Sequence, residues 1–132
     1  MIRIGDDKMS YKIAVASSDG KDINQHFGRA EQFFVYEVED DKNFKFVELR
    51  RATDFHSEHE DHVTKLKNTI KGLNGCKIVL VTQIGDGASR ILRSNGIEAF
   101  DVEDSIENAL PKLIKYYSTA VSYTHLTLPT KA

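Results

Sequence analysis

A single cysteine, Cys76, stands among the 132 residues. An internal disulfide is excluded, and so is self-sufficient enclosure of an iron–sulfur cluster, which normally takes several thiolates. A lone cysteine is more often a small buried hydrophobe than a ligand. Charge of either sign is not in excess: 18 Lys and Arg against 20 Asp and Glu leave a net charge of −2. No strong field therefore draws the chain to nucleic acid or to an anionic lipid surface. The longest apolar runs, such as Ile78 to Val81, fall far short of the ~20 residues that a bilayer-spanning helix needs. No basic-then-apolar leader opens the sequence, and a reducing cytoplasm is the expected setting. Catalytic patterns are scarce as well. The first and fourth expected strands carry no carboxylate, whereas a two-metal nuclease gathers acids on its central strands. No serine–histidine–acid or cysteine–histidine arrangement is recognisable. There is no Gly-Lys-Ser/Thr phosphate loop. These absences favour a binding protein over an enzyme, and a metal-dependent hydrolase ranks third among the readings.

What is present is ordinary globular composition, 40% apolar and 29% charged, in a chain long enough to bury about two-thirds of its unfolded surface. Residues 9–118 read as one domain. Met9 directly precedes the first strand, so residues 1–8 read as an N-terminal extension. Residues 119–132 read as a non-native or disordered tail: Val121 to Ala132 shows no helical period and carries Pro129, and its His125 is set aside with it.

Lys12 to Ala16 reads as the first strand and Arg29 to Gln32 as a helical turn. Phe33 to Glu39 and Phe44 to Arg50 read as a hairpin closed by Asp40 to Asn43. Broken alternation at Phe46-Val47 predicts a bulge. Ser57-Glu-His-Glu60 fits a capping box for a helix with Val63, Leu66, Ile70 and Leu73 on one stripe, stopped by Gly72 and Gly75. Lys77 to Thr82 reads as a central strand covered on both faces. A second helix begins at Gly85-Asp-Gly-Ala and stops at Asn95-Gly96, and Ile97 to Val102 is the fifth strand. Asp104 caps a last helix through Ile106, Ala109, Leu110, Leu113 and Ile114, in which Pro111 predicts a kink or a later start. The order βββαβαβα predicts an α/β fold with a mixed five-stranded sheet flanked by helices, the ribonuclease-H-like arrangement.

Three clusters of residues carry candidate chemistry. Ser17-Ser-Asp-Gly20 ends the first strand with turn chemistry, and the polar loop that follows sets His26 between Asn24-Gln25 and Phe27-Gly28. Phe27 offers a ring to anchor the loop, and Gly28 allows close approach of something large. His26 is either a metal ligand or a loop imidazole bonded to a nearby carbonyl. His56-Ser-Glu-His59-Glu-Asp-His62 brings three imidazoles and three carboxylates into seven residues, a set suited to a transition metal. The same residues also fit a core margin with acids at a helix N-terminus. Gly85-Asp-Gly87 is either the amide wall of an anion-tolerant cleft or a tight turn. It is not a dinucleotide fingerprint, because Arg90 stands where the third glycine belongs.

Val15-Ala-Ser-Ser-Asp-Gly20 and Asn24-Gln-His-Phe-Gly-Arg-Ala-Glu-Gln-Phe33 resemble the opening of the dinitrogenase iron-molybdenum cofactor biosynthesis family, the group of NifX, NafY and the NifB C-terminal domain. The resemblance continues through Val79-Leu-Val-Thr-Gln-Ile-Gly-Asp-Gly-Ala-Ser89, Leu92-Arg-Ser-Asn-Gly-Ile97 and Asp101 to Tyr117, and so covers roughly Tyr11 to Tyr117. It implies the same ribonuclease-H-like fold. It also implies a non-catalytic carrier whose transient cargo is an iron–sulfur or iron-molybdenum cluster. His26 would be the main contact, with Asn24 and Gln25 as donors behind it and Arg29 offering charge. Phe27, Gly28, Gly85 and Gly87 complete the expected binding set. Cluster-assembly or cluster-accepting proteins are the implied partners, with neither nucleic acid nor membrane, and the chain is expected as a monomer or weak dimer. The His26 loop is expected to leave an edge of the sheet. His56, His59 and His62 lie outside the matched motif, so a small metal-binding or metal-sensing module built on them is the alternative.

Overall fold

The computed structural model describes residues 10–39, 43–54 and 61–126. Within these, β1 (Ser10–Ala16), β2 (Gln32–Glu39), β3 (Asn43–Arg51), β4 (Cys76–Val81) and β5 (Glu98–Asp101) form one sheet. Its order is β3-β2-β1-β4-β5. β2 is antiparallel to both β1 and β3, while β4 is parallel to both β1 and β5. Three helices flank it: α1 (His62–Gly72), α2 (Asp86–Ser94) and α3 (Ile106–Leu126). The expected element order and mixed sheet are both present.

Period-2 alternation divides the core into two layers. Ala14, Ala16, Val79 and Val81 face one side, where Ile70 and Leu73 around α1 and Leu92 of α2 cover them. Ile13, Val15, Ile78 and Leu80 face the other, under Ile106, Leu110, Leu113 and Ile114 of α3. All eight of these strand residues are fully buried, as a strand covered on both faces requires. The hairpin bulge is at the expected place. Val35 pairs with Glu48 and Tyr36 with Phe46, leaving Val47 as the extra residue.

Several local expectations need correction. α1 begins at His62 with Asp61 as N-cap, its carboxylate accepting from Thr64 N–H at 2.8 Å. Ser57 to Glu60, where the capping box was expected, lies outside the described residues. Val63 is 58% exposed and so is not part of the buried stripe. The turn before β2 is a 3-10 turn at Phe27–Arg29, earlier than expected. Ser105, not Asp104, caps α3: its hydroxyl accepts from Asn108 N–H and its carbonyl from Ala109 N–H. α3 starts at Ile106 and runs through Pro111, which removes one backbone donor without stopping the helix. The helix backbone also continues to Leu126, into the stretch expected to lack a helix. Once nucleated, a helix propagates cheaply, and no Gly or Pro interrupts Ser118 to Leu126.

Two cavities on either side of the His26 segment

β1 is the central strand, so the His26 loop leaves the middle of the sheet and not its edge. At the C-terminal ends of β1 and β4 the chain parts. One connection turns back to β2, and the other climbs through α2 to β5. Crevices that bind ligands form where neighbouring connections diverge in this way.

The loop between β1 and β2 is built from its own side chains. The buried Ser17 hydroxyl accepts from Gly20 N–H at 2.9 Å and donates to Asp19 Oδ1 at 3.1 Å. Gly20 has φ +78°, and a Cβ there would come within 3.0 Å of the Phe34 ring, so both backbone and space demand glycine. Backbone N–H groups of Lys21 and Asp22 hold the Asp19 carboxyl below the usual carboxylate range. Asn24 accepts from Ser18 N–H at 2.9 Å and donates to Ser18 Oγ at 3.0 Å. Gln25 Oε1 accepts from Glu31 N–H at 3.1 Å. Asn24 and Gln25, expected as donors behind His26, thus have side chains engaged in shaping the loop.

Residues 25–27 then run beside the extension of β4. Thr82 N–H donates to Gln25 O at 3.0 Å, Phe27 N–H donates to Gln83 O at 2.9 Å, and His26 bridges Gln83 in parallel sense. Adjacent residues of an extended segment point to opposite faces. Phe27 turns toward α1 and α2, is 4% exposed, and sets its ring tilted against Phe33, with centroids 6.4 Å apart. His26 turns toward α3, is exposed, and has no side-chain hydrogen bond among the described residues.

Each side holds a cavity of about 450 Å³. The one on the α3 side is lined by His26, Asn24 and Thr82 together with the acids Asp22, Glu103 and Asp104. Asp104 is already engaged with Ser105 N–H and the Asn108 amide, which hold its carboxyl below the usual range. The one on the α1/α2 side is lined by Phe27, Gly28, Gly85 and Gly87, and by His62, Lys65, Leu66, Thr69, Ala88 and Ile91. Gly85 is the N-cap of α2 and offers no side chain to its first-turn N–H groups. Gly87 is helical with φ outside the left-handed region, and a Cβ at Gly28, Gly85 or Gly87 would meet nothing within 4 Å. The tight-turn reading of Gly87 is therefore not required.

The expected binding set is thus divided. Phe27, Gly28, Gly85 and Gly87 meet His62 on one side, while His26 and Asn24 face the other. Arg29 is exposed and lines neither cavity. His56 and His59 lie outside the described residues. Cys76 opens β4 and is buried, which pushes its thiol pKa up. It lies about 16 Å of strand away from the loop end of β4. Among the described residues, no group of three or more His, Cys, Asp and Glu side chains is placed to hold a metal ion, and no helix is long and apolar enough to cross a membrane. The sequence reading missed Lys65 and Thr69. Their signal was the spacing His62, Lys65, Leu66, Thr69, which is one helical face.

Comparison with known proteins agrees with this architecture. A family model described as "Dinitrogenase iron-molybdenum cofactor" matches residues 9–116. Protein NifX of Klebsiella pneumoniae is 36% identical over 93 residues, covering 70% of this chain and 57% of NifX. FeMo cofactor biosynthesis protein NifB of Rhodobacter capsulatus is 37% identical over 105 residues, 78% of this chain but 23% of NifB. The chain therefore spans a little over half the length of that NifX and under a quarter of that NifB. The crystal structure of PH0822 superposes with a TM-score of 0.57 at 29% identity, covering 80% of this chain and 89% of that one. The NMR structure of MJ0327 from Methanococcus jannaschii gives 0.58 at 17% identity, covering 83% and 91%. The chain belongs to the dinitrogenase iron-molybdenum cofactor family.

Proposed function

We propose that this domain takes part in iron-molybdenum cofactor biosynthesis as a carrier. In this reading it binds an iron–sulfur or iron-molybdenum precursor cluster as cargo, performs no chemistry on it, and passes it to cluster-assembly or cluster-accepting proteins in the cytoplasm. The order β3-β2-β1-β4-β5 with β2 antiparallel supports a ribonuclease-H-like fold, and a monomer or weak dimer suffices for the task.

The observation that carries the reading is the presentation of His26. Its imidazole is exposed and free of hydrogen bonds among the described residues, while the backbone on both sides is pinned to β4's extension by Gln25 O and Phe27 N–H. A ligand on a fixed backbone costs little to order when it binds. One imidazole with few other contacts also makes a labile attachment, which suits a carrier that must release its cargo. Cys76 is buried at the far end of β4 and supplies no thiolate here. The names of the NifX and NifB relatives support the cargo class. The alternative module built on His56, His59 and His62 has one member among the described residues, His62, and it faces the other cavity from His26.

The test is anaerobic titration with a preformed iron–sulfur cluster, followed by visible absorption and iron counting. His26→Ala should weaken uptake at least tenfold while the circular dichroism spectrum and thermal midpoint stay nearly unchanged. Replacing His56, His59 and His62 together should weaken simple divalent-metal binding more than cluster uptake. Equal uptake by wild type and His26→Ala would remove His26 from the site.

A further inference from the structure

The two cavities differ in charge. Among the described residues, the one under His26 is lined by Asp22, Glu103 and Asp104 with no Lys or Arg, and Asp104 pairs with the exposed Lys112 at 3.8 Å. Among the described residues, the one on the α1/α2 side is lined by no acid, and its ionisable side chains are Lys65 and His62, one turn apart on α1. An anionic cluster is repelled by the first and attracted by the second. His62 and Lys65 are both exposed, so their attraction for an anion acts through solvent and weakens as salt is added.

Shape agrees with charge. The α1/α2 cavity, about 450 Å³, falls in the size range of small-ligand sites. Phe27, Leu66, Ala88 and Ile91 give it apolar walls, and Ile91 is 41% exposed, so apolar surface there stays wet until something covers it. Gly28, Gly85 and Gly87 line it, and a Cβ at any of them would meet nothing within 4 Å. Gly28 forms its rim two residues from His26, with Cα atoms at most ~7.6 Å apart.

We infer that the body of the cargo is seated in the α1/α2 cavity, with Lys65 as the residue that selects for its negative charge, and not over the acidic cavity beneath His26. The inference rests on the cluster-carrier reading and adds the seat and its selectivity to it.

Gly87→Leu and Lys65→Glu test it, in the full chain, with a preformed thiolate-ligated [4Fe–4S] dianion as probe. A Cβ at Gly87 meets nothing within 4 Å, and the residue lines the cavity from the first turn of α2, so a leucine there adds bulk at the seat without disturbing the core. Its thermal midpoint should equal or exceed that of wild type. Both variants should bind the probe at least tenfold more weakly, and Lys65→Arg should stay within threefold of wild type. Lys67→Glu reverses an exposed charge on the same helix that does not line the cavity, and should change affinity less than twofold. Wild-type affinity in Gly87→Leu and Lys65→Glu, with His26→Ala still impaired, would overturn the seat and leave the carrier reading standing. Equal losses in Lys65→Glu and Lys67→Glu would overturn Lys65 as the selecting residue. Absence of probe binding by wild type would overturn the carrier reading and the seat together.

Discussion

Phe27 is the joint between the fold and the candidate site, and truncating it gives a quantitative test. Its ring is 4% exposed and lies 6.4 Å from the fully buried Phe33. The same ring is part of the wall of the α1/α2 cavity. Removing a buried aromatic ring costs about 3–5 kcal/mol in well-packed cores. The lower end applies here, because the ring borders an open cavity into which neighbours can relax. Phe27→Ala should therefore lose about 3 kcal/mol, which lowers the thermal midpoint by roughly 10–15 °C in a domain of this size. Phe27→Leu keeps most of the volume and should lose no more than about 1.5 kcal/mol. Urea unfolding followed by circular dichroism reads the effect: the midpoint should fall while the slope with denaturant is unchanged. Cluster uptake should fall as well although His26 is intact, because the adjacent backbone is no longer fixed. A Phe27→Ala midpoint within about 0.5 kcal/mol of wild type would refute the claim that this ring anchors the loop to the cooperative core.

Other expectations follow from single features. Gly20→Ala meets both a left-handed backbone and a 3.0 Å approach to Phe34, so it should destabilise by at least about 1–2 kcal/mol, measured by the same urea titration. Asp19, Asp61 and Asp104 all have carboxyls held below their ordinary value of 3.8, chiefly by backbone N–H donors. A depressed folded-state value means that the unfolded chain binds the proton more readily. Their contribution is therefore complete above about pH 5 and is lost as pH falls through 3.8 toward the lowered folded values. Asp61→Asn should flatten that acid limb in a pH series of melting curves, while a limb unchanged in slope would remove Asp61 from it. Purified protein with magnesium or manganese should not cleave nucleic acid. Cleavage that disappears in Asp19→Asn or Asp22→Asn would replace the carrier reading with a hydrolase.

The strands were legible because their patterns are strong. Ile13 to Ala16 and Ile78 to Val81 are apolar on both faces, and both faces are buried. Even the bulge at Val47 was visible, since one extra residue breaks the two-residue alternation. The start of α1 was not, because Ser57 and Asp61 are both residue types that cap helices. Starting at His62 sets the phase so that Val63 points outward while His62, Lys65, Leu66 and Thr69 line a cavity. The end of α3 was missed because the sequence after Tyr117 shows no helical apolar period, yet no Gly or Pro up to Leu126 breaks a helix already formed. The site was legible as a list of residues but not as a shape. His26 and Phe27 are neighbours in sequence, and an extended backbone sends them to opposite sides of the sheet. Only the pairing of Gln25 and Phe27 with Thr82 and Gln83, more than fifty residues away, decides that conformation.

The central claim is that the domain holds a cluster loosely and hands it on intact. The direct measurement loads the protein with a preformed [4Fe–4S] cluster and isolates it by anaerobic gel filtration. It is then mixed with an apo-protein offering four cysteine ligands, in the presence of a chelator that traps free iron. The predicted result is transfer of the visible absorption and four irons per cluster to the acceptor, with the chelator left unloaded and His26→Ala carrying little at the outset. Iron appearing on the chelator instead of the acceptor, or no cluster on the wild-type protein after gel filtration, would contradict it.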